Sequence, residues 1–374
     1  MEKLFDDKLR LNTEYALHQH DSYGFYDNSA KGEFVKVREI LNDWFSRYPD
    51  NHKWNLKRDF QSDFDSAFFE LFIHELFSKQ GFQLTPHPAL TDSTNHPDFL
   101  AKKGDIEIYL EAKVAFDESK EEKTLKTKHN IVYDTINQIS CPGYGINIEG
   151  IDFISKNQAK LGKVKSFFQK NIDTNAPIYA LPKRYNYQDK LDRFLTYKDE
   201  DIVISISLYP TDVNLTRPII SYLGGSFMGG SDGSLKKAIK AKAKHYGNPE
   251  KPFIICINSL SIKHTSTEDV YNALFGIGRR FSDDDLNGKD QDFNIGDNGV
   301  FHNSVNPLNT RVSGVFITRV FVSNLHVADH WLVGHPFTNN DLDFDNLDLS
   351  YIYADSNQLK EVKKKSIGEI IINA

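Results

Sequence analysis

The chain has 374 residues, enough to bury a sizeable core as one elaborated domain or two. With 39% hydrophobic and 26% charged residues and a net charge of −7, it lacks the basic balance of a dedicated nucleic-acid coat, so any contact with polyanions falls to local Lys/Arg patches. The absence of a long uncharged apolar run, the charged N-terminus MEKLFDDKLRLN and only two cysteines, Cys141 and Cys256, argue against a membrane span, a signal peptide, a disulfide framework and a cysteine-rich zinc site, and fit a reducing cytoplasm.

Residues 1–30 are polar and aromatic and end in a turn-like Asp27-Asn28-Ser29. Apolar spacing predicts a helix from Gly32 to Tyr48, with Phe34, Val37, Leu41, Trp44 and Phe45 on its stripe and Pro49-Asp50 as its stop. A second helix is predicted from Asp65 to Gln80, ended by Gly81. Phe69, Phe72, Ile73, Leu76 and Phe77 form its stripe, and Glu70 shares the stripe's edge at i+3 from Ile73 and i+7 from Phe77. A carboxylate there is costly unless it has a partner. Glu75 competes for the same role, and His74, one turn on from Glu70, reads as a half-exposed surface side chain, with a phosphate contact as the alternative. Phe82-Gln83-Leu84 starts a short strand, and Pro86 and Pro88 lead into a polar loop.

The stretch HPDFLAKKGDIEIYLEAKVAF, His96 to Phe116, reads as two strands joined by a tight turn. On the second strand Ile106, Ile108, Leu110, Ala112 and Val114 share the face expected to be core, while Glu107, Tyr109, Glu111 and Lys113 share the face expected to be wet. Glu111 and Lys113 are thus same-face neighbours roughly 6.5–7 Å apart. With Lys103-Gly104 at the centre of the loop, Asp98 pairs with Tyr109 and lies diagonally from Glu111, about 7–8 Å away.

Residues 117–130, DESKEEKTLKTKHN, read as a solvated charged loop, with a basic flap through Lys123, Lys126 and Lys128 as the alternative. Helices are expected over 131–139 and from Ser155 to Lys170, and strands over 143–152 and 201–209. The glycine-rich run 224–234 is either a flexible tip or an anion cradle before the helix Leu235 to Tyr246. Lys242 sits inside that helix's apolar stripe, where it either snorkels to water or serves an acidic site. Pro252 to Asn258 reads as a strand buried on both faces. A helix over 268–277, an acidic loop over 281–300 and a strand from Arg311 to Val322 follow, with Arg311 and Arg319 as candidate phosphate contacts. His302, His326, His330 and His335 lack the carboxylate partner of an HExxH zinc site.

Pro97-Asp98 followed by Glu111-Ala112-Lys113, behind an apolar helix bearing Glu70, resembles the PD-(D/E)xK nuclease superfamily. The resemblance covers residues 66–116 and, more loosely, 235–258. It implies an α/β restriction-endonuclease-like mixed sheet flanked by helices, with an N-terminal helical extension over 1–58, a nuclease-like domain over 59–335 holding an insertion at 120–232, and a C-terminal tail over 336–374. It further implies a Mg²⁺-dependent DNA endonuclease, with Mn²⁺ as a substitute. Asp98, Glu111, the Ala112 carbonyl and Glu70 would be metal ligands, Lys113 the catalytic ammonium, and Lys242 and Arg311 substrate contacts. By the same analogy its setting is bacterial restriction or anti-phage defence, with a homodimer or a partner subunit to cut both strands. An RNA nuclease and a catalytically silent nucleic-acid-binding module are the alternatives.

Overall fold

A computed structural model describes the chain except for residues 1, 15, 18–20, 92, 117–119, 156, 158, 183–191, 223–229, 262–263, 277–295, 297, 304, 356–357 and 373–374. The described residues fall into two units, one built from 1–14, 21–117 and 228–374, the other from 15–20 and 118–227. The glycine-rich tip at 223–229 and most of the acidic loop at 281–300 lie outside the described residues.

The first unit opens with α1 (Ser22–Asn28), α2 (Gly32–Arg47), α3 (Asp50–Ser62) and α4 (Phe64–Ser78). Pro49 ends α2 as expected, but it also stands at the N-cap of α3, which the sequence reading missed. Proline's fixed φ and missing N–H suit a helix start as well as they forbid a helix interior. The Asp63 carboxylate caps α4 by accepting from the Ser66 N–H at 3.3 Å. Every residue of α4 from Ala67 to Phe77 is buried except Glu70. A helix apolar on nearly all sides must be covered on all sides, and α2 and α3 supply part of that cover. His74 is therefore buried rather than half-exposed, with the Tyr48 and Phe99 rings 4.9 and 5.9 Å away. Burial, helped by the nearby Arg47 charge, lowers its pKa to about 4, so His74 is neutral at physiological pH.

After Gly81, at φ +85°, come β1 (Gln83–Pro86), β2 (Phe99–Lys103) and β3 (Ile106–Ala115). The hairpin between β2 and β3 turns at Gly104-Asp105, not Lys103-Gly104: Lys103 pairs with Ile106 and Phe99 with Leu110. Gly104, at φ +60°, takes the left-handed position that the turn demands. The two-residue shift in pairing keeps each side chain on its face but slides Asp98 along β3, from Tyr109 towards Glu111.

The chain then passes into the second unit, with α5 (Lys120–Ile136), β4 (Tyr144–Phe153), α6 (Leu161–Tyr179), β5 (Leu195–Lys198), β6 (Ile202–Pro210) and β7 (Ile219–Ser221). Its four strands run in the order β5-β6-β4-β7. Ile146, Ile148, Ile204 and Ile206 meet Val132 and Ile136 of α5 and Val164 and Phe168 of α6 in a core of its own. From residue 120 the expected charged loop is helical, because Lys, Glu and Leu are strong helix formers even without a complete apolar stripe. α6 starts later than the expected Ser155, whose hydroxyl donates to the Asp201 carboxylate at 2.6 Å and whose N–H reaches the Asp201 carbonyl.

Back in the first unit follow α7 (Asp232–Ala243), β8 (Phe253–Ser259), α8 (Thr267–Phe275), β9 (Gly314–Thr318), β10 (His330–Gly334), β11 (Tyr351–Asp355), β12 (Gln358–Val362) and α9 (Ile367–Ile371). The main sheet is mixed and eight-stranded, in the order β1-β2-β3-β8-β9-β10-β11-β12. β3, β8 and β9 are mutually parallel, whereas β1-β2-β3 are antiparallel. The residues after 335 do not trail as a tail: β11 and β12 extend the sheet, and Ile367 and Ile370 of α9 enter the core. Thus the first unit is a mixed α/β fold with a large mixed sheet flanked by helices. One face of β3 packs through Ile108, Leu110 and Val114 into the cluster that holds α4. The other face, expected to be wet, packs through Tyr109 and Ala115 against Leu235, Ile239, Val270 and Leu274. Parallel strands joined by helices are covered on both faces, and Glu111 lies on the second of these buried faces.

Candidate active site

Four elements bring carboxylates together in the first unit. Glu111, at the middle of β3, is fully buried. The Lys242 ammonium, from the last turn of α7, donates to its Oε1, and the Tyr246 hydroxyl, from the turn after that helix, donates to its Oε2. Asp98, just ahead of β2, is partly exposed, and its Oδ2 accepts from the Ala112 N–H at 2.6 Å. Glu70, on α4, accepts from the Tyr48 hydroxyl at 2.6 Å. Asp59, on α3, adds a fourth carboxylate whose charge reaches Glu70 and Tyr48. Around this group stands His87, whose main-chain N–H donates to the Asp98 carbonyl at 2.9 Å and whose φ of +49° is left-handed.

The electrostatics follow from crowding. Burial first, then the charges of Glu111 and Glu70, push the Asp98 carboxyl well above the usual carboxylate range, against the pull of the Ala112 N–H and of Lys242. Burial also raises Glu70, opposed by the Tyr48 hydrogen bond and reinforced by Asp59 and Glu111. Burial and the neighbouring carboxylates push the Tyr48 and Tyr246 phenols up, so both remain hydrogen-bond donors. Among the described cations, Lys242 is the one bonded to Glu70, Asp98 or Glu111, while Arg58 lies 3.7 Å from Asp59.

Of the two helix candidates, Glu75 faces elsewhere. It is fully buried and takes the Arg47 guanidinium through Nη2 at 2.7 Å and Nε at 3.1 Å. Five residues apart on one helix, Glu70 and Glu75 point in different directions, and Glu70 is the one within electrostatic reach of Asp98 and Glu111. Lys113 shares the Glu111 face but is exposed and makes no ion pair with a described residue. Arg311 is not drawn into the group; its Nη1 donates to the Gly247 carbonyl at 2.7 Å. Arg319 also stands apart, beside Phe321 and His264. Tyr48, Tyr246 and Asp59 escaped the sequence reading. Tyr246, four residues beyond Lys242 on the same apolar stripe, is the one whose spacing carried a usable signal.

Glu70, Asp98 and Glu111 form a hard-oxygen set of the kind that Mg²⁺ or Mn²⁺ takes. As their side chains stand, no three such groups among the described residues share one ion's position. Both Glu111 oxygens are engaged by Lys242 and Tyr246, and one Glu70 oxygen by Tyr48. No family model, curated protein or solved structure matches the chain.

The raised Asp98 pKa makes a stability prediction. Between the unfolded value near 3.8 and the raised folded value, the folded state holds a proton that the unfolded state has released. Stability therefore falls as pH rises through that window, and the penalty is complete above the folded pKa. Asp98→Asn keeps the acceptor for the Ala112 N–H and removes the charge. Without added metal, it is expected to raise Tm at pH 8 by about 2–6 °C, with the gain vanishing near pH 4. Thermal melts across that range check this, and a gain independent of pH would exclude the charge as its cause.

Proposed function

We propose that the protein is a Mg²⁺-dependent endonuclease that hydrolyses DNA phosphodiester bonds. The observation that carries this reading is that Glu70, Asp98 and Glu111, from separate parts of the chain, lie within electrostatic reach of one another with one ammonium, Lys242, bonded to Glu111. An excess of crowded, partly buried carboxylate over cation is unfavourable for stability alone and suits a site that recruits metal ions and a phosphate.

Asp98 and Glu111 would hold the ion, with Glu70 ligating it or a bound water. When bound, the ion polarises the phosphoryl group and acidifies a water. The chain's own groups then divide the remaining work. Exposed Lys113, on the Glu111 face of β3, orients the attacking water and neutralises charge growing on the phosphoryl oxygens. Water attacks phosphorus in line, the P–O3′ bond breaks, and the products carry a 5′-phosphate and a 3′-hydroxyl.

The test is cleavage of supercoiled plasmid, linear duplex, single-stranded DNA and RNA with Mg²⁺ or Mn²⁺. Wild type is expected to cut duplex DNA, and Asp98→Ala and Lys113→Ala to lose about a hundredfold or more. Because Lys113 is exposed, its loss of activity comes with an unchanged Tm. Cutting that survives in both variants would remove the assignment, and a preference for RNA would change the substrate class.

A further inference from the structure

Glu111 has no exposed surface, and each of its oxygens already has a donor. The two donors differ in their freedom. The Tyr246 ring is 4% exposed and packs edge-on against Phe253 at 5.6 Å, so it is fixed from several sides. The Lys242 side chain is 25% exposed and springs from the last turn of α7. Its ammonium is a compact charge on a flexible stem, able to exchange a carboxylate for water by rotation about that stem. Lys242 also lies close enough to Asp98 to favour that carboxylate's ionised form.

We infer that Lys242 is a displaceable plug in the cation site: a divalent ion reaches Glu111 Oε1 by exchange with the Lys242 ammonium, while Tyr246 keeps Oε2 in place. The inference rests on the metal-dependent reading above and concerns how that site is loaded. Displacement has a second consequence. The ammonium released from Glu111 remains tethered near Asp98 on a side chain that is already partly exposed, where a phosphate would need a cation. One side chain thereby guards the carboxylate before the ion arrives and faces the substrate afterwards. Tyr246 is in this scheme a positioning residue, acting only through Glu111.

The experiment is Mn²⁺ binding to the full chain without nucleic acid, by calorimetry and by the loss of free-ion EPR signal. The variants are Lys242→Met, Tyr246→Phe and Asp98→Ala. With its competitor removed, Lys242→Met is expected to bind Mn²⁺ about tenfold tighter than wild type. Tyr246→Phe, with Oε2 released, is expected to bind more weakly, and Asp98→Ala to lose binding. Should Lys242→Met not fold, Lys242→Gln, which keeps a donor without the charge, is measured the same way. Asp98-dependent binding by wild type with no tightening on loss of the Lys242 charge would overturn the exchange and leave the metal site standing. No binding by wild type or by either Lys242 variant would overturn both.

Discussion

Arg47→Met is expected to cost about 3 kcal/mol of stability, among the largest losses from any single change outside the carboxylate group. Arg47 bridges two helices: Nη1 and Nη2 hold Asp43 on its own helix at 2.7 and 2.6 Å, and Nη2 and Nε hold Glu75 on α4. The Arg47 side chain is 40% exposed and that of Glu75 fully buried. Removing the guanidinium strands the buried Glu75 charge, which costs several kcal/mol; water reaching in where the 40% exposed Arg47 stood places the loss at the lower end. Replacing both partners, Arg47→Met with Glu75→Leu, removes the stranded charge and is expected to recover most of the loss. Urea denaturation checks both, with the slope compared to that of wild type. Cleavage decides the complementary point: the double variant is expected to keep it, because Glu75 stands apart from the site that Glu70 faces. A double variant that folds but no longer cuts would move the helix carboxylate from Glu70 to Glu75.

How much of this architecture could be read beforehand depends on the range of the interactions that decide it. The α4 stripe, the β3 alternation and the continuous apolar run of β8 are local patterns, and the elements lie within a few residues of where periodicity puts them. What the pattern of β3 could not report was its second cover. Glu107, Tyr109, Glu111 and Lys113 read as a wet face, yet α7, over a hundred residues later, lies across it, and Lys242 and Tyr246 cover Glu111. The pairing of Lys242 and Tyr246 with Glu111 is equally remote, since nothing local to β3 names its partners. The hairpin register was missed for a smaller reason. A two-residue loop fits Lys103-Gly104 or Gly104-Asp105, and only the pairing of the strands chooses between them. The C-terminal strands, five residues each and set among segments rich in Asp, Asn and Lys, offered too weak a signal to be told from a solvated tail. The two donors on Glu111 leave only a trace, Lys242 and Tyr246 on one apolar stripe, and a fully buried Glu75 with its arginine leaves none in a chain read in one dimension.

Glu111→Gln is expected to reduce metal-dependent cleavage by at least about a thousandfold, the largest single effect on activity. The substitution changes one oxygen to an amide and nothing in size, so its consequences are electrostatic. A neutral amide ligates a hard cation poorly, and it leaves the Lys242 ammonium without its carboxylate. It also disturbs the protein itself. Both Lys242 and Tyr246 donate to Glu111, whereas glutamine offers one acceptor oxygen and turns a donor nitrogen towards the other partner. Stability should therefore fall by about 2–3 kcal/mol. A dead and destabilised variant alone would not separate chemistry from collapse. Glu111→Gln combined with Lys242→Met does separate them. Removing the ammonium lets the amide oxygen turn to Tyr246 and the amide nitrogen take the vacated side, so Tm should recover most of its loss. Cleavage should not recover, because the ligand charge is still missing. If cleavage returned together with Tm, Glu111 would be a structural partner of Lys242 and Tyr246, and the metal site would have to be built without it.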